Sequence, residues 1–330
     1  MEEALREVAE TDLENLVAAL RRDYSKLSAR LRELDHSVVC EGAGVTLRLH
    51  FPAFRQGKAT VYELVEAISR YMTPYALSRS EISALDAKYG KISAESFRAE
   101  SKVLDETAVR LFKKANELTG RNGECGELLL YLLTEWVLGA PQLIAKMVLK
   151  TNPEMPVHGA DGVHVRYCPT TARLYIYWGE AKLHADLSGA ITDAVKSINA
   201  AMDPKKMQHE IDLVKRNIDF SGFDPVSKAE ILTFLDPMEE RYNKRFDVIT
   251  ALIGFNFDAY SAVGPADADE AEERFRALAT AELEKLAPAV AEKLRDAGLE
   301  GSTLELFFLP VPSVQELRDL FQAKIGWKVS

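Results

Sequence analysis

The chain has 330 residues, 47% of them hydrophobic and 28% charged, with a formal net charge of −10. Such figures describe an ordinary globular protein, large enough for two cores or for one core with sizeable extensions. They exclude a protein that grips nucleic acid through an overall basic surface, because phosphate neutralisation supplies most of that affinity. Any action on DNA would need a local patch, a metal ion or a partner.

The opening MEEALREVAETDLENL is charged from its second residue, which is not how a secretory signal reads. No apolar run approaches the roughly 20 residues that a bilayer span requires. Cys40, Cys125 and Cys168 are far apart and odd in number, so neither a disulfide framework nor a Cys-rich zinc site is indicated. A cytoplasmic protein without a membrane partner is expected.

Residues 1 to about 34 predict one helix. Leu13, Val17, Leu20, Tyr24, Leu27, Leu31 and Leu34 fall at alternating spacings of four and three, a narrow seam of the coiled-coil type. Either the chain's own body or a partner helix would cover it, and the first is the simpler. Glu41-Gly42-Ala43-Gly44 signals a turn, and Val45 to Phe51 alternates as a strand. Helices are predicted from Thr60 to about Tyr71, from Ser80 to Ala87, and from about Ser93 to Thr119.

Gly120-Arg121-Asn122-Gly123 breaks that helical run. The next segment, ECGELLLYLLTEWVLGA, is apolar nearly all round from Leu128 to Leu138 and predicts a buried helix. Pro141 marks a turn, PQLIAKMVLKT follows, and NPEMP is a loop by composition. VHGADGVHVRY reads as a strand with a glycine on each side of the Ala160-Asp161 pair, Cys168 to Thr171 as a hairpin turn, and Leu174 to His184 as the returning strand. Asp186 to about Met202 is a helix. Beyond it, KKMQHEIDLVKRNI and VSKAEILTFLDP are helical, and Phe246 to Tyr260 predicts a strand broken by Gly254. Gly264 to Asp267 is the best linker candidate; a long charged helix (Ala268 to Ala297), the strand STLELFFLPVP and a helix from Ser313 complete the chain. Residues 267–330 hold more Asp and Glu than Lys and Arg, so this tail is not a DNA grip.

The chemistry gathers in the middle. Strand side chains alternate with period 2, so Glu180 and Lys182 point to one face at the end of an apolar strand. Alone, Glu-x-Lys is more often an ordinary ion pair at a sheet edge; a metal-dependent phosphodiesterase also needs such a carboxylate and ammonium. Glu124 and Glu127 open the buried helix, where the helix dipole favours anions. A regular hairpin brings Asp161 close to Glu180. Two carboxylates with water and phosphate oxygens suit Mg²⁺. His158 and His164 lie six residues apart, but without a cysteine pattern they read as structural or phosphate-facing rather than as zinc ligands. Lys146 and Lys150, one helical turn apart, suit either phosphate contact or a solvated face. Tyr177 and Trp178 read as core, and His184 as a lone histidine after a strand.

An acidic residue on a helix, then Asp, then Glu-x-Lys across a hairpin and into a helix resembles the restriction-endonuclease-like PD-(D/E)xK nucleases. More narrowly, GECGELLLYLL, APQLIAKMVLKT, MPVHGADGVHV and YWGEAKLH resemble the HamA family of the Hachiman anti-phage defence system, most closely over residues 120–200. The superfamily often has Pro before its Asp, where this chain has Ala160.

The resemblance implies that Asp161, Glu180 and Lys182 are the catalytic set and that Glu127 is the first-helix carboxylate. Glu127, Asp161 and Glu180 would hold Mg²⁺, with Mn²⁺ able to replace it. It also implies a HamB-like helicase partner and sequence-tolerant DNA cleavage as the effector step. The expected fold is α/β: a restriction-endonuclease-like mixed sheet flanked by helices, with a helical N-terminal extension, divided into an N-terminal helical/α+β region (1–92), a nuclease core (93–263) and a C-terminal α/β elaboration (264–330). Two other readings stay open, a non-catalytic adaptor of the helicase and an RNase on the same core.

Overall fold

The computed structural model describes residues 13–34, 38–40, 44–119, 122–150, 160–218 and 224–327. Its strands are β1 (Leu31–Glu33), β2 (Val38–Cys40), β3 (Gly44–Pro52), β4 (Phe54–Arg55), β5 (Lys58–Ala59), β6 (Gln142–Ile144), β7 (Gly162–Cys168), β8 (Arg173–His184), β9 (Arg245–Asn256) and β10 (Thr303–Val311). A first helix, α1, covers 13–19. It is followed by α2 (Val61–Ile68), α3 (Met72–Ala76), α4 (Arg79–Asp86), α5 (Ala94–Thr119), α6 (Glu124–Val137) and α7 (Lys146–Lys150). The later helices are α8 (Leu187–Ala201), α9 (Pro204–Asn217), α10 (Pro225–Thr233), α11 (Ala259–Val263), α12 (Ala268–Asp296) and α13 (Val314–Ile325).

The protein is α/β, a mixed sheet flanked by helices as expected. Strand order is β1-β3-β10-β9-β8-β7-β6, with β2 also paired to β3. The middle of the sheet is parallel, β8 to β9, β9 to β10 and β10 to β3. Its margins are antiparallel, β6-β7-β8 on one side and β1 and β2 on the other. Helices cover both faces, so central strands lose the in-out alternation and read as continuous apolar runs. This is why VITALIGF in β9 and LFFLPV in β10 are buried throughout.

Two hydrophobic cores lie on the two faces. Leu174, Ile176, Trp178 and Ile249 pack with α8, α9 and α12 on one. Leu183, Leu252 and Phe307 pack with α2, α3, α6 and α13 on the other. Among the described residues no helix is long and apolar enough to cross a membrane.

The N-terminal seam differs from the single helix expected over 1–34. Helix α1 ends before Leu20, a 3-10 turn covers Ser25–Ala29, and Leu31 begins β1. The apolar positions are nevertheless buried by the chain itself: Leu13, Val17 and Leu34 in one core, Tyr24, Leu27 and Leu31 in the other. A spacing of four and three satisfied both cores without a continuous helix.

Gly254 does not break its strand. β9 runs through it to Asn256, and the expected strand to Tyr260 gives way to α11. The glycine makes room for Leu183, whose Cδ2 a Cβ there would displace. PQLIAKMVLKT, to which the sequence assigned no element, supplies β6 and α7.

Candidate active site

The β7–β8 hairpin is regular, with Gly162 opposite Gly179 and Val163 opposite Trp178. The register ends at the Gly162–Gly179 pair, and Asp161 lies in a bend immediately before it. The Asp161 N–H donates to Gly179 O at 2.7 Å. Its side-chain Oδ2 accepts the N–H of Ala181, between Glu180 and Lys182, at 3.0 Å. Asp161 is thus fixed to β8 through both backbone and side chain.

Two glycines let α6 approach this hairpin. A Cβ on Gly126 would lie 3.1 Å from Leu183 Cγ, and one on Gly179 would lie 3.1 Å from Leu130 Cδ2. Glu127, the next residue of α6, therefore arrives beside Asp161. Ala181 and Leu183 face α6, so alternation sends Glu180 and Lys182 to the opposite face. There Ser197 of α8 hydrogen-bonds Glu180.

Two ammonium groups divide the three carboxylates. Lys182 Nζ donates to Glu180 Oε1 at 2.5 Å. Lys150 Nζ donates to Glu127 Oε2 at 2.8 Å and to Asp161 Oδ1 at 3.0 Å. Tyr75 OH donates to the same Glu127 Oε2 at 2.8 Å. Lys150 is thus half-buried, with its ammonium turned toward two carboxylates.

The electrostatics record crowded negative charge. Burial, then the nearby Asp161, pushes the Glu127 carboxyl up to about 7, with Lys150 pulling the other way. Burial and Asp161 also raise Glu180, against the opposing pull of Lys182. Burial would raise Asp161 too, but Lys150 and the Ala181 N–H outweigh it and hold that carboxyl below its ordinary value.

Lys146, His164, Tyr177 and Trp178 take structural places. Lys146 is buried, donating to Ala160 O at 2.5 Å and to Glu210 Oε2 at 2.7 Å, so it anchors the residue before Asp161 instead of meeting phosphate. His164 is buried with Nδ1 at 2.9 Å from Ala140 O, and burial lowers its pKa, which keeps it neutral. His184 pairs with Asp193 at 3.4 Å. Trp178 and Tyr177 are core residues, and Trp178 Nε1 donates to Asp247 at 3.0 Å. Glu124 is buried at the start of α6. His158 lies outside the described residues. Sequence reasoning missed Tyr75 and Glu210. Tyr75 acts from a five-residue helix distant in sequence, and Glu210 lies on a helix whose polar pattern gave no inward signal.

The donor set fits a hard divalent ion in kind, being carboxylate oxygens of the sort Mg²⁺ takes one or two at a time. Burial first, and then the neighbouring Asp161 charge, raise Glu127 and Glu180, and a divalent ion beside them would favour their charged forms. Among the described residues, however, no three His, Cys, Asp or Glu side chains gather closely enough to hold an ion by themselves. Asp161 is the carboxylate whose charge acts on both Glu127 and Glu180.

A model of the HamA family matches residues 29–325, nearly the whole chain. No curated protein matches it.

Proposed function

Because the chain belongs to the HamA family, which implies a component of the Hachiman defence system, we propose that it is a metal-dependent, sequence-tolerant DNA nuclease. The observation that carries this reading is Asp161 held beside Glu180, with Lys182 bonded to that glutamate. Asp161 and Glu180 would hold Mg²⁺ or Mn²⁺, with Glu127 adjoining. A divalent ion there supplies Lewis-acid stabilisation of the charge that develops on the phosphate and its leaving oxygen.

The protein's own groups do the rest. Lys182, on the half-buried end of β8, positions the attacking water and offsets phosphate charge. The Ala181 N–H keeps one Asp161 oxygen oriented, and Tyr75 keeps Glu127 in place. Cleavage by this site is proposed to be sequence-tolerant.

The net charge of −10 supports weak binding of DNA by the chain alone. Delivery and restraint fall to a helicase subunit of the same system. Incubating the purified chain with plasmid DNA and Mg²⁺, with and without that helicase, tests both points. The expected result is cleavage that depends on the helicase and stops with a chelator. Equal, strong cleavage without the helicase would contradict partner control, and no cleavage in either case would contradict the nuclease assignment.

A further inference from the structure

We propose that Lys150 is a resident counter-cation of this centre, which a divalent ion has to displace from Asp161 before it can bind; the inference rests on the nuclease reading above. Asp161 has two side-chain oxygens. Oδ2 is tied to the Ala181 N–H, so Oδ1 is the oxygen freer to turn toward a cation. Lys150 Nζ holds it at 3.0 Å, and the same ammonium bonds Glu127 Oε2 at 2.8 Å. One positive group thus bridges two crowded carboxylates.

The bridge is built to open. The Lys150 side chain keeps 21% of its surface exposed, and the two carboxylates 17% and 14%. A four-carbon stem with three rotatable donors can therefore move its charge into water without unpacking a core. Glu127 would not follow, because Tyr75 OH also bonds its Oε2 at 2.8 Å. Lys146, on the same short helix, has no such freedom: it is buried against Glu210 and Ala160. Of the two lysines, one fixes the backbone before Asp161 and the other guards its carboxylate. An ammonium in this position keeps an idle nuclease poor in metal.

Mn²⁺ binding to the full chain, followed by titration calorimetry, tests the proposal without any cleavage assay. Lys150→Met should bind Mn²⁺ at least about 10-fold tighter than the unmodified protein, and Lys150→Arg should not. A second measurement needs no variant: acetylation of Lys150 by an amine-reactive ester, read by mass spectrometry, should rise several-fold once Mn²⁺ saturates the protein. Unchanged or weaker affinity in Lys150→Met, or Lys150 labelling indifferent to Mn²⁺, would overturn the proposal. Absence of Mn²⁺ binding to both the unmodified protein and Lys150→Met would instead overturn the metal-dependent reading, and this proposal with it.

Discussion

The Asp161 carboxylate accepts the N–H of Ala181 at 3.0 Å, and Ala181 separates Glu180 from Lys182. This one bond ties the start of β7 to the most polar stretch of β8. It fixes where a carboxylate, a second carboxylate and an ammonium stand relative to one another. Preorganisation of this kind lets charged groups act on a developing charge without reorganising first.

Lys182 should therefore matter for chemistry far more than for stability. Its side chain is partly exposed and its pair with Glu180 lies near solvent, where such pairs contribute about 0–1 kcal/mol. Lys182→Ala should lower DNA cleavage by about 10²–10⁴-fold, the usual range for loss of a proton-transfer group, with little change in melting temperature. Cleavage within about twofold of the unmodified protein would remove Lys182 from the mechanism.

Glu127 should give the fold a pH signature. Its folded value of about 7 stands above the ordinary 4.5, so between those values the native state binds more protons than the unfolded one. Stability from this group is present below about 4.5 and is lost as pH rises to about 7. Asp161, held below its ordinary value, has the opposite sign: its contribution is lost as pH falls through its folded value. Urea unfolding followed across this range should show a flatter profile in Glu127→Gln than in the unmodified protein. Superimposable slopes would mean that Glu127 titrates normally.

The buried Lys146–Glu210 pair should be costly to break and cheap to replace. Lys146→Met strands the Glu210 carboxylate, whose Oε1 has no hydrogen-bond partner among the described residues, and should destabilise by about 3–5 kcal/mol. Changing both residues to apolar ones of similar size should recover most of that loss in a denaturant titration. If the double change is no better than the single one, the Ala160 O contact, and not the ion pair, is what matters.

Gly254→Ala should destabilise although β-strands ordinarily tolerate alanine. The new Cβ would lie 2.3 Å from Leu183 Cδ2 inside the core beneath α6. Overpacking of that kind costs about 1–3 kcal/mol, readable as a lowered midpoint in urea. A neutral or stabilising effect would show that Leu183 moves aside freely.

The parts of this architecture visible in the sequence are those set by local patterning. The hairpin, the buried helix and the Glu-x-Lys face follow from period-2 alternation, a turn signal and an all-apolar run. What escaped reading depends on long-range packing. β3 and β10 lie far apart in sequence yet pair with each other, and β10 also pairs with β9. The N-terminal heptad-like spacing serves a helix, a 3-10 turn and a strand in succession. Lys146 and Lys150 turn inward because Glu210, Glu127 and Asp161 converge on them from three other elements, which no spacing within α7 reveals.

The central claim is that Asp161 and Glu180 form one hydrolytic centre. Its most direct test is cleavage of plasmid DNA in Mg²⁺ in the presence of the proposed helicase partner, comparing the unmodified chain with Asp161→Asn and Glu180→Gln. Melting curves of all three chains would establish that each is folded. The account expects cleavage by the unmodified chain and a loss of at least about 100-fold in both variants. Undiminished cleavage by either folded variant would contradict it.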